Sequence, residues 1–101
     1  MFSSLTDCFT LANGVKIPCV GFGTYKTPDG ATCVESVRTA IEAGYRHIDT
    51  AEFYFNEESV GRAVAESGVP RGELFLTTKV WNTHQGYDET LAAFDASMRR
   101  L

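Results

Sequence analysis

The chain has 101 residues, of which 44% are hydrophobic and 22% charged, a balance typical of one globular domain or part of one. Nine Lys and Arg against thirteen Asp and Glu give a net charge of −4 without any basic run, which argues against nucleic acid or an anionic membrane surface as partner. No charged and apolar leader opens the sequence and no apolar run reaches transmembrane length, so we expect a cytoplasmic protein without membrane contact.

The sequence contains three cysteines, Cys8, Cys19 and Cys33. Their number is odd, they lie far apart, and they form neither a C-x-x-C motif nor the spacing of a metal site. Small reduced thiols packed among apolar neighbours are the expected state of such residues. We therefore expect neither a bound metal nor a disulfide framework.

The first predicted element is a β-hairpin over residues 8–18. Two short β-prone runs flank Asn13-Gly14, a dipeptide that favours a type I′ turn. A short strand follows and ends at Gly23-Thr24, where small side chains leave the backbone open to a ligand. This segment lacks the third glycine and the immediate helix of a dinucleotide-binding loop, so we exclude a Rossmann domain.

Three strand-and-helix units follow the hairpin, and in each a short apolar run precedes apolar residues at helical spacing. The units span residues 20–44, 45–68 and 74–101. Gly44 and Gly68 are placed to end the first two helices, and Asn56 to cap the start of the second. One face of the third helix is marked by four apolar residues: Leu91, Phe94, Met98 and Leu101.

Regular strand-and-helix repeats imply parallel strands with right-handed crossovers, so the predicted fold class is α/β. Both a doubly wound sheet and a (β/α)8 barrel can begin in this way. A barrel needs about 250 residues. In that case the chain holds an N-terminal hairpin and the first three of eight units, and the barrel is incomplete. The third strand would then have an open edge through which the chain could self-associate.

Candidate chemistry gathers where the predicted strands end, because active sites of parallel α/β folds lie at the carboxyl ends of their strands. Thr24, Asp49 and Lys79 close the three strands, the last of which is predicted over residues 74–80. Asp49 and Lys79 would be neighbours, and Tyr54 in the adjoining loop could reach the ammonium. A nearby positive charge stabilises a phenolate, so this trio suits a general acid that protonates an oxygen as negative charge builds on it. Carbonyl reduction by hydride transfer makes that demand.

Each member of the trio also has a purely structural explanation when it is taken alone. Asp49 could cap a strand end, Tyr54 could be an amphipathic surface tyrosine, and Lys79 could be a solvated lysine. The combination of all three at matching strand ends favours the functional interpretation over these alternatives.

Three further residues lie close to these positions in the sequence. His47 precedes Asp49 by one inward step, so we expect an interior histidine with satisfied hydrogen bonds. His84 is expected to be a loop residue without a catalytic role. Trp81 could wall an apolar pocket or pack in the core, and the sequence does not separate these two alternatives.

The segment G-Y-R-H-I-D-T-A-E-F-Y-F-N-E, which begins at Gly44, resembles the aldo-keto reductases. The runs V-K-I-P, G-F-G-T-Y and T-K-V-W-N-T-H resemble the same family, and within it most of all the small bacterial reductases of the diketogluconate reductase branch. The resemblance implies a (β/α)8 barrel closed at its bottom by the hairpin, with NADPH, or NADH in its place, lying across the top. It also implies hydride transfer to a small aldehyde or ketone substrate.

The resemblance carries roles to individual residues. Tyr54 matches the family's proton donor, Lys79 the lysine that assists it, and Asp49 the carboxylate paired with that lysine. The residues implied to lie at the cofactor are Gly23, Thr24, Tyr25 and Asp49. The residues implied to wall the substrate pocket are Phe53 and Trp81.

Parts of the family's machinery would follow Leu101, among them a catalytic histidine at the end of the fourth strand and most contacts to the adenine and 2′-phosphate. We therefore expect the chain to be the N-terminal portion of a reductase that turns over little or not at all by itself. The alternative, from a different class, is a non-catalytic reductase-like module for binding or interaction.

Overall fold

The computed structural model describes residues 7–101, apart from the side chain of Thr83. The expectation about the opening of the chain therefore lies outside the described residues. Residues 7–101 form an antiparallel hairpin and a parallel sheet of three strands, with helices after each parallel strand. The strands are β1 (Cys8–Thr10), β2 (Lys16–Pro18), β3 (Phe22–Gly23), β4 (His47–Asp49) and β5 (Phe75–Thr77). The helices are α1 (Ala31–Ala43), α2 (Glu57–Glu66) and α3 (Tyr87–Arg100).

The hairpin pairs β1 with β2, but its turn differs from the predicted type I′. The Gly14 amide donates to the Leu11 carbonyl at 2.9 Å, and the Leu11 amide donates to Val15 at 2.7 Å. Gly14 has a φ of +86°, whereas Asn13 is not among the described residues with positive φ. A type I′ turn needs positive φ at both central residues, so the type I′ prediction is wrong. The loop is a three-residue turn closed by a left-handed glycine.

The parallel sheet has the order β3-β4-β5, so each strand lies beside the next one in sequence. Asp49 pairs with Gly23 on one side and with Thr77 on the other, which aligns the three carboxyl ends. The strands are shorter than predicted, and Lys79 lies two residues beyond the end of β5. The predicted α/β class, a hairpin followed by three strand-and-helix units, is confirmed.

The core lies between the sheet and the first two helices, which pack closely on each other. Apolar residues at helical spacing give each helix one apolar face, and this face packs against β4. Gly44, with a φ of +114°, ends α1 as a left-handed cap. Gly68 has a φ of +76° just after α2, as expected for the end of that helix. The core residues are Cys33, Val37, Ile41, Ile48, Val60, Ala63, Val64 and Leu74.

Helix α3 packs on α2 through small residues, of which Ala93 and Ser97 are buried. Leu101 is partly buried against the core, but Leu91, Phe94 and Met98 of the predicted apolar face are each more than half exposed. The groove between this face and β5 has a volume of about 590 Å³. The outer edge of β5 therefore borders an uncovered apolar surface.

Candidate functional site

The centre of the candidate site is the pair formed by Asp49 and Lys79. Asp49 is the last residue of β4, and Lys79 follows β5, so the parallel register brings the two side chains to one edge of the sheet. The Lys79 ammonium contacts the Asp49 carboxylate and donates to the Thr50 carbonyl at 3.1 Å. The predicted neighbourhood of the two residues is present, although the loop after β5 rather than the strand itself carries the lysine.

Tyr54 lies beside this pair on a single 3-10 turn, Glu52–Tyr54. The Lys79 Nζ atom is 5.2 Å from the centre of the Tyr54 ring. The turn ends because Phe55 adopts a left-handed conformation, with a φ of +57°, and its amide donates to the Glu52 carbonyl at 3.2 Å. The structure thus brings together the three residues that the sequence predicted as a proton-donating trio.

Opposing effects act on the Lys79 ammonium, which is half exposed. Partial burial lowers its pKa, but the hydrogen bond and the charge of Asp49, followed by the interaction with Tyr54, outweigh this effect. The net result is that the pKa of Lys79 is raised above its ordinary value. The lysine is therefore held in its charged form at neutral pH.

Asn56 joins the loops that surround the trio, a role that the sequence did not reveal. Its Nδ2 atom donates to the carbonyls of Thr24 and Thr27 at 2.9 and 3.1 Å, and its Oδ1 atom accepts from the Thr50 hydroxyl at 2.9 Å. Asn56 occupies the N-cap position of α2, but its side chain makes no capping hydrogen bond. The prediction of a side-chain cap is wrong, because the buried amide is used between strand ends instead.

Of the three residues at the end of β3 and just after it, one is buried and two are accessible. Thr24 is fully buried, and its hydroxyl donates to the Asp49 carbonyl at 3.1 Å. Gly23 has open space where a Cβ atom would stand, and Tyr25 is exposed with its ring centre 5.1 Å from that of Tyr54. An open backbone and an accessible ring beside Asp49 fit a flat cofactor ring, whereas the Thr24 side chain holds the loop from within.

Phe53 and Trp81 form a flat aromatic wall next to the trio. Their ring centres are 3.8 Å apart, and the ring planes differ by 8°. Phe53 is exposed and Trp81 is partly exposed, so the indole does not belong to the core. Trp81 therefore does not pack in the core, and its place in the wall of a pocket stays a prediction.

The sequence also gave no sign of the contacts made by Glu52 and His84. The Glu52 carboxylate lies 2.5 Å from the Nδ1 atom of His84 and accepts from the Trp81 amide at 3.2 Å. His84 does lie in a loop region, as predicted, on the short 3-10 turn Asn82–His84. These partners are about thirty positions apart, and no spacing rule in the sequence connects them.

His47 is the interior histidine that the sequence predicted. Its Nε2 atom lies 2.8 Å from the Thr77 hydroxyl, and its Nδ1 atom lies 3.3 Å from the Pro18 carbonyl. Its ring also meets the Phe75 ring edge to face. A side chain at Gly21 would crowd the imidazole, so the glycine makes room for it. One ring nitrogen therefore joins β4 to the hairpin, and the other joins β4 to β5.

The three cysteines carry no disulfide. Burial, with a smaller contribution from Asp29, raises the pKa of the Cys33 thiol, so this core cysteine stays protonated and unreactive. Within residues 7–101 no group of three or more potential ligands could hold a metal ion. No helix in the same range is long and apolar enough to cross a membrane.

Comparison with solved structures identifies the architecture. An aldo/keto reductase from Brucella melitensis superposes with a TM-score of 0.89 at 46% identity, over 94% of this chain and 37% of that one. A Bombyx mori aldo-keto reductase solved in complex with NADP gives a TM-score of 0.87 at 40% identity, over 98% of this chain and 35% of that one. The fold is therefore the hairpin and first three units of the (β/α)8 barrel, as predicted.

Sequence comparison gives the same relationship. The chain is 56% identical over 95 residues to a 9,11-endoperoxide prostaglandin H2 reductase of Trypanosoma cruzi, covering 94% of this chain and 34% of that protein. It is 54% identical over 101 residues to a glyoxal reductase of Bacillus subtilis, covering all of this chain and 37% of that protein. The chain thus spans about a third of the length of these relatives. Since residues 19–101 also match the Aldo/keto reductase family, the chain belongs to that family.

Proposed function

We propose that the chain carries the proton-donating part of an NADPH-dependent reductase that converts aldehydes or ketones to alcohols. The observation that supports this most directly is the position of the Lys79 ammonium, which contacts Asp49 and lies 5.2 Å from the Tyr54 ring. Asp49 holds the lysine charged and aimed, and the positive charge favours negative charge on the Tyr54 oxygen. Tyr54 then donates its proton to the carbonyl oxygen as that oxygen becomes an alcohol.

The cofactor assignment rests on the segment 23–25 at the end of β3 and on the NADP complex of the Bombyx mori relative. When bound, the nicotinamide supplies the hydride that reaches the carbonyl carbon. Gly23, Tyr25 and Asp49 would hold it at the strand ends, where the backbone is open and one aromatic ring is accessible. Thr24 would contribute by fixing this loop from its buried side. NADPH is the proposed cofactor, with NADH as the alternative.

We propose small carbonyl compounds as substrates, with Phe53 and Trp81 as walls of the pocket. The name of the Bacillus subtilis relative, a glyoxal reductase, supports this class. Because the chain spans about a third of its relatives, the activity is proposed for a longer protein of which these residues are the N-terminal portion. The 101 residues alone should turn over little or not at all. The cytoplasm is the proposed compartment.

A chimera tests the assignment directly. The 101 residues replace the matching segment of the Bacillus subtilis glyoxal reductase, and NADPH oxidation is followed with glyoxal and a panel of other aldehydes. Tyr54→Phe should lower kcat by about 100-fold or more, the usual range for loss of a general acid. Tyr87→Phe is the matched control, because Tyr87 is exposed at the start of α3. A Tyr54→Phe chimera that keeps full activity would rule out Tyr54 as the proton donor.

A second proposal, of a different class, is that the chain is a non-catalytic module that associates with a second copy of itself. Its support is the outer edge of β5 and the exposed apolar side chains Phe94 and Met98 beside it. An unpaired strand edge next to an apolar groove favours pairing with another strand. Light scattering should then show a dimer that Phe94→Glu dissociates. A monomer at all concentrations would exclude this proposal.

A further inference from the structure

We propose that Glu52 is a positioning residue that fixes the aromatic wall of Phe53 and Trp81 next to Tyr54. The role extends the proposed function, since it concerns the wall of the proposed substrate pocket. Glu52 itself need not touch a substrate. Its side chain is only 16% exposed, and it faces the loop that follows β5.

Glu52 joins two separate segments through three contacts. Its amide donates to the Lys79 carbonyl at 3.0 Å, which fixes the start of the 3-10 turn Glu52–Tyr54. Its Oε2 atom accepts from the Trp81 amide at 3.2 Å. Its Oε1 atom lies 2.5 Å from the Nδ1 atom of His84. The backbone and side chain of one residue therefore tie the turn after β4 to the loop after β5.

The chemistry of the His84 contact is constrained by the carboxylate. An ionised carboxylate only accepts hydrogen bonds, so the Nδ1 atom of His84 must carry the hydrogen. A hydrogen bond to a charged acceptor is stronger than one between neutral groups. Both carboxylate oxygens of Glu52 are thus used, one by Trp81 just before the short 3-10 turn Asn82–His84 and one by His84 at its end.

The geometric consequence falls on the aromatic wall. Phe53 follows Glu52 on the turn, and Trp81 carries the amide that Glu52 accepts. The two rings stack at 3.8 Å and nearly parallel, so each ring is held by its own backbone and by the other ring. Tyr54 is the next residue of the same turn. Glu52 therefore sets the distance between the wall and the proposed proton donor.

Trp81 is the single tryptophan of the sequence, so its fluorescence reports on this wall alone. The test uses the 101-residue chain and two variants, Glu52→Gln and His84→Asn. Gln keeps an oxygen for the Trp81 amide but removes the charge of the carboxylate, so the charge-assisted hydrogen bond with His84 is replaced at most by a weaker one between neutral groups. His84 is exposed, so its replacement leaves the core intact. Emission, acrylamide quenching, near-ultraviolet circular dichroism and thermal unfolding are measured for each protein.

Both variants should shift Trp81 emission to the red, increase its quenching and weaken its near-ultraviolet signal, while far-ultraviolet spectra stay unchanged. The double variant should change no more than the larger single effect, because both substitutions act on the same interaction. Glu35→Gln is the control, since it removes a carboxylate from the exposed Arg38 pair on α1. Unchanged Trp81 signals in both variants, or an equal change in the control, would overturn the role of Glu52.

These signals do not depend on turnover, so the two proposals can fail separately. A displaced Trp81 together with an inactive chimera would leave the positioning role in place and remove the reductase assignment. An active chimera together with unchanged Trp81 signals in both variants would support the reductase assignment and remove the positioning role of Glu52.

Discussion

Lys79 contacts Asp49 across thirty positions of sequence, and this contact joins the end of β4 to the loop that follows β5. The pair is partly exposed, so its geometry matters more for the state of the lysine than for the stability of the fold. The charge of Asp49 is what keeps the pKa of Lys79 raised in spite of partial burial.

Asp49→Asn should therefore lower the pKa of Lys79, measured by an NMR titration of the lysine side chain. Since the folded pKa is raised, the stabilisation by this pair is present below the unfolded value of about 10.4 and is lost as pH rises through the folded value. The difference in stability between the two proteins should shrink in that alkaline range. Asp88→Asn, on the first turn of α3, is the control and should leave the Lys79 titration unchanged.

Asn56→Ala should destabilise the chain by about 3 kcal/mol, because it leaves several buried groups without partners. The carbonyl of Thr24 and the hydroxyl of Thr50 both lose their hydrogen bonds to the buried amide. Urea unfolding followed by circular dichroism measures the loss. Asn82→Ala is the control, since Asn82 is exposed and its side chain accepts from Gln85 at 3.3 Å. Equal losses in the two variants would contradict the role given to Asn56.

Phe55→Asn should stabilise the chain by about 0.5 to 1 kcal/mol. Phe55 is 74% exposed and has a φ of +57°, a conformation that costs a bulky residue energy and that asparagine adopts readily. Thermal and urea unfolding measure the change. Leu91→Asn replaces another exposed apolar residue within α3, where the backbone is helical, and should not stabilise. A loss of stability in Phe55→Asn would mean that contact with the Phe53 ring outweighs the backbone strain.

Glu57→Ala should destabilise the chain by about 3 kcal/mol, since it breaks a buried ion pair from one side. Glu57 is 2% exposed, and its carboxylate accepts from Arg100 Nε at 2.8 Å and from the Thr78 hydroxyl at 2.6 Å. Glu66→Ala removes the partner of Arg62 in an exposed pair and should cost less than about 1 kcal/mol. Urea unfolding of both variants decides whether burial makes this difference.

Local sequence rules predicted the parts of this structure that depend on neighbouring residues. Helical spacing identified the three helices, and glycine marked the ends of α1 and α2 because only glycine takes a left-handed backbone without cost. The order and parallel direction of the strands were predictable as well, so Asp49 and Lys79 could be expected near each other although the strands are shorter than predicted. Lys79 lies beyond β5 rather than within it, but the parallel register still aligns the two residues.

Contacts between distant segments could not be read from the sequence. Asn56 has the residue type and place of a helix cap, yet its buried side-chain amide bonds to the loops after β3 and β4 instead. Glu52 and His84 meet only because two turns stand side by side at the sheet edge. Apolar spacing predicted which face of α3 would be buried. The residues of α3 that are buried are instead the small residues Ala93 and Ser97, because α3 packs on α2 through them.

Gly61 lies in α2 at the point where this helix meets α3. A Cβ atom at this buried position would collide with the Arg100 carbonyl, so α2 and α3 touch backbone to backbone there. The ion pair of Arg100 with Glu57 joins the same two helices one turn earlier on α2. Separating the second and third units would require both contacts to break together. The turn that carries Tyr54 precedes α2 and the loop that carries Trp81 precedes α3, so we expect the spacing between these two segments to stay the same when a ligand binds.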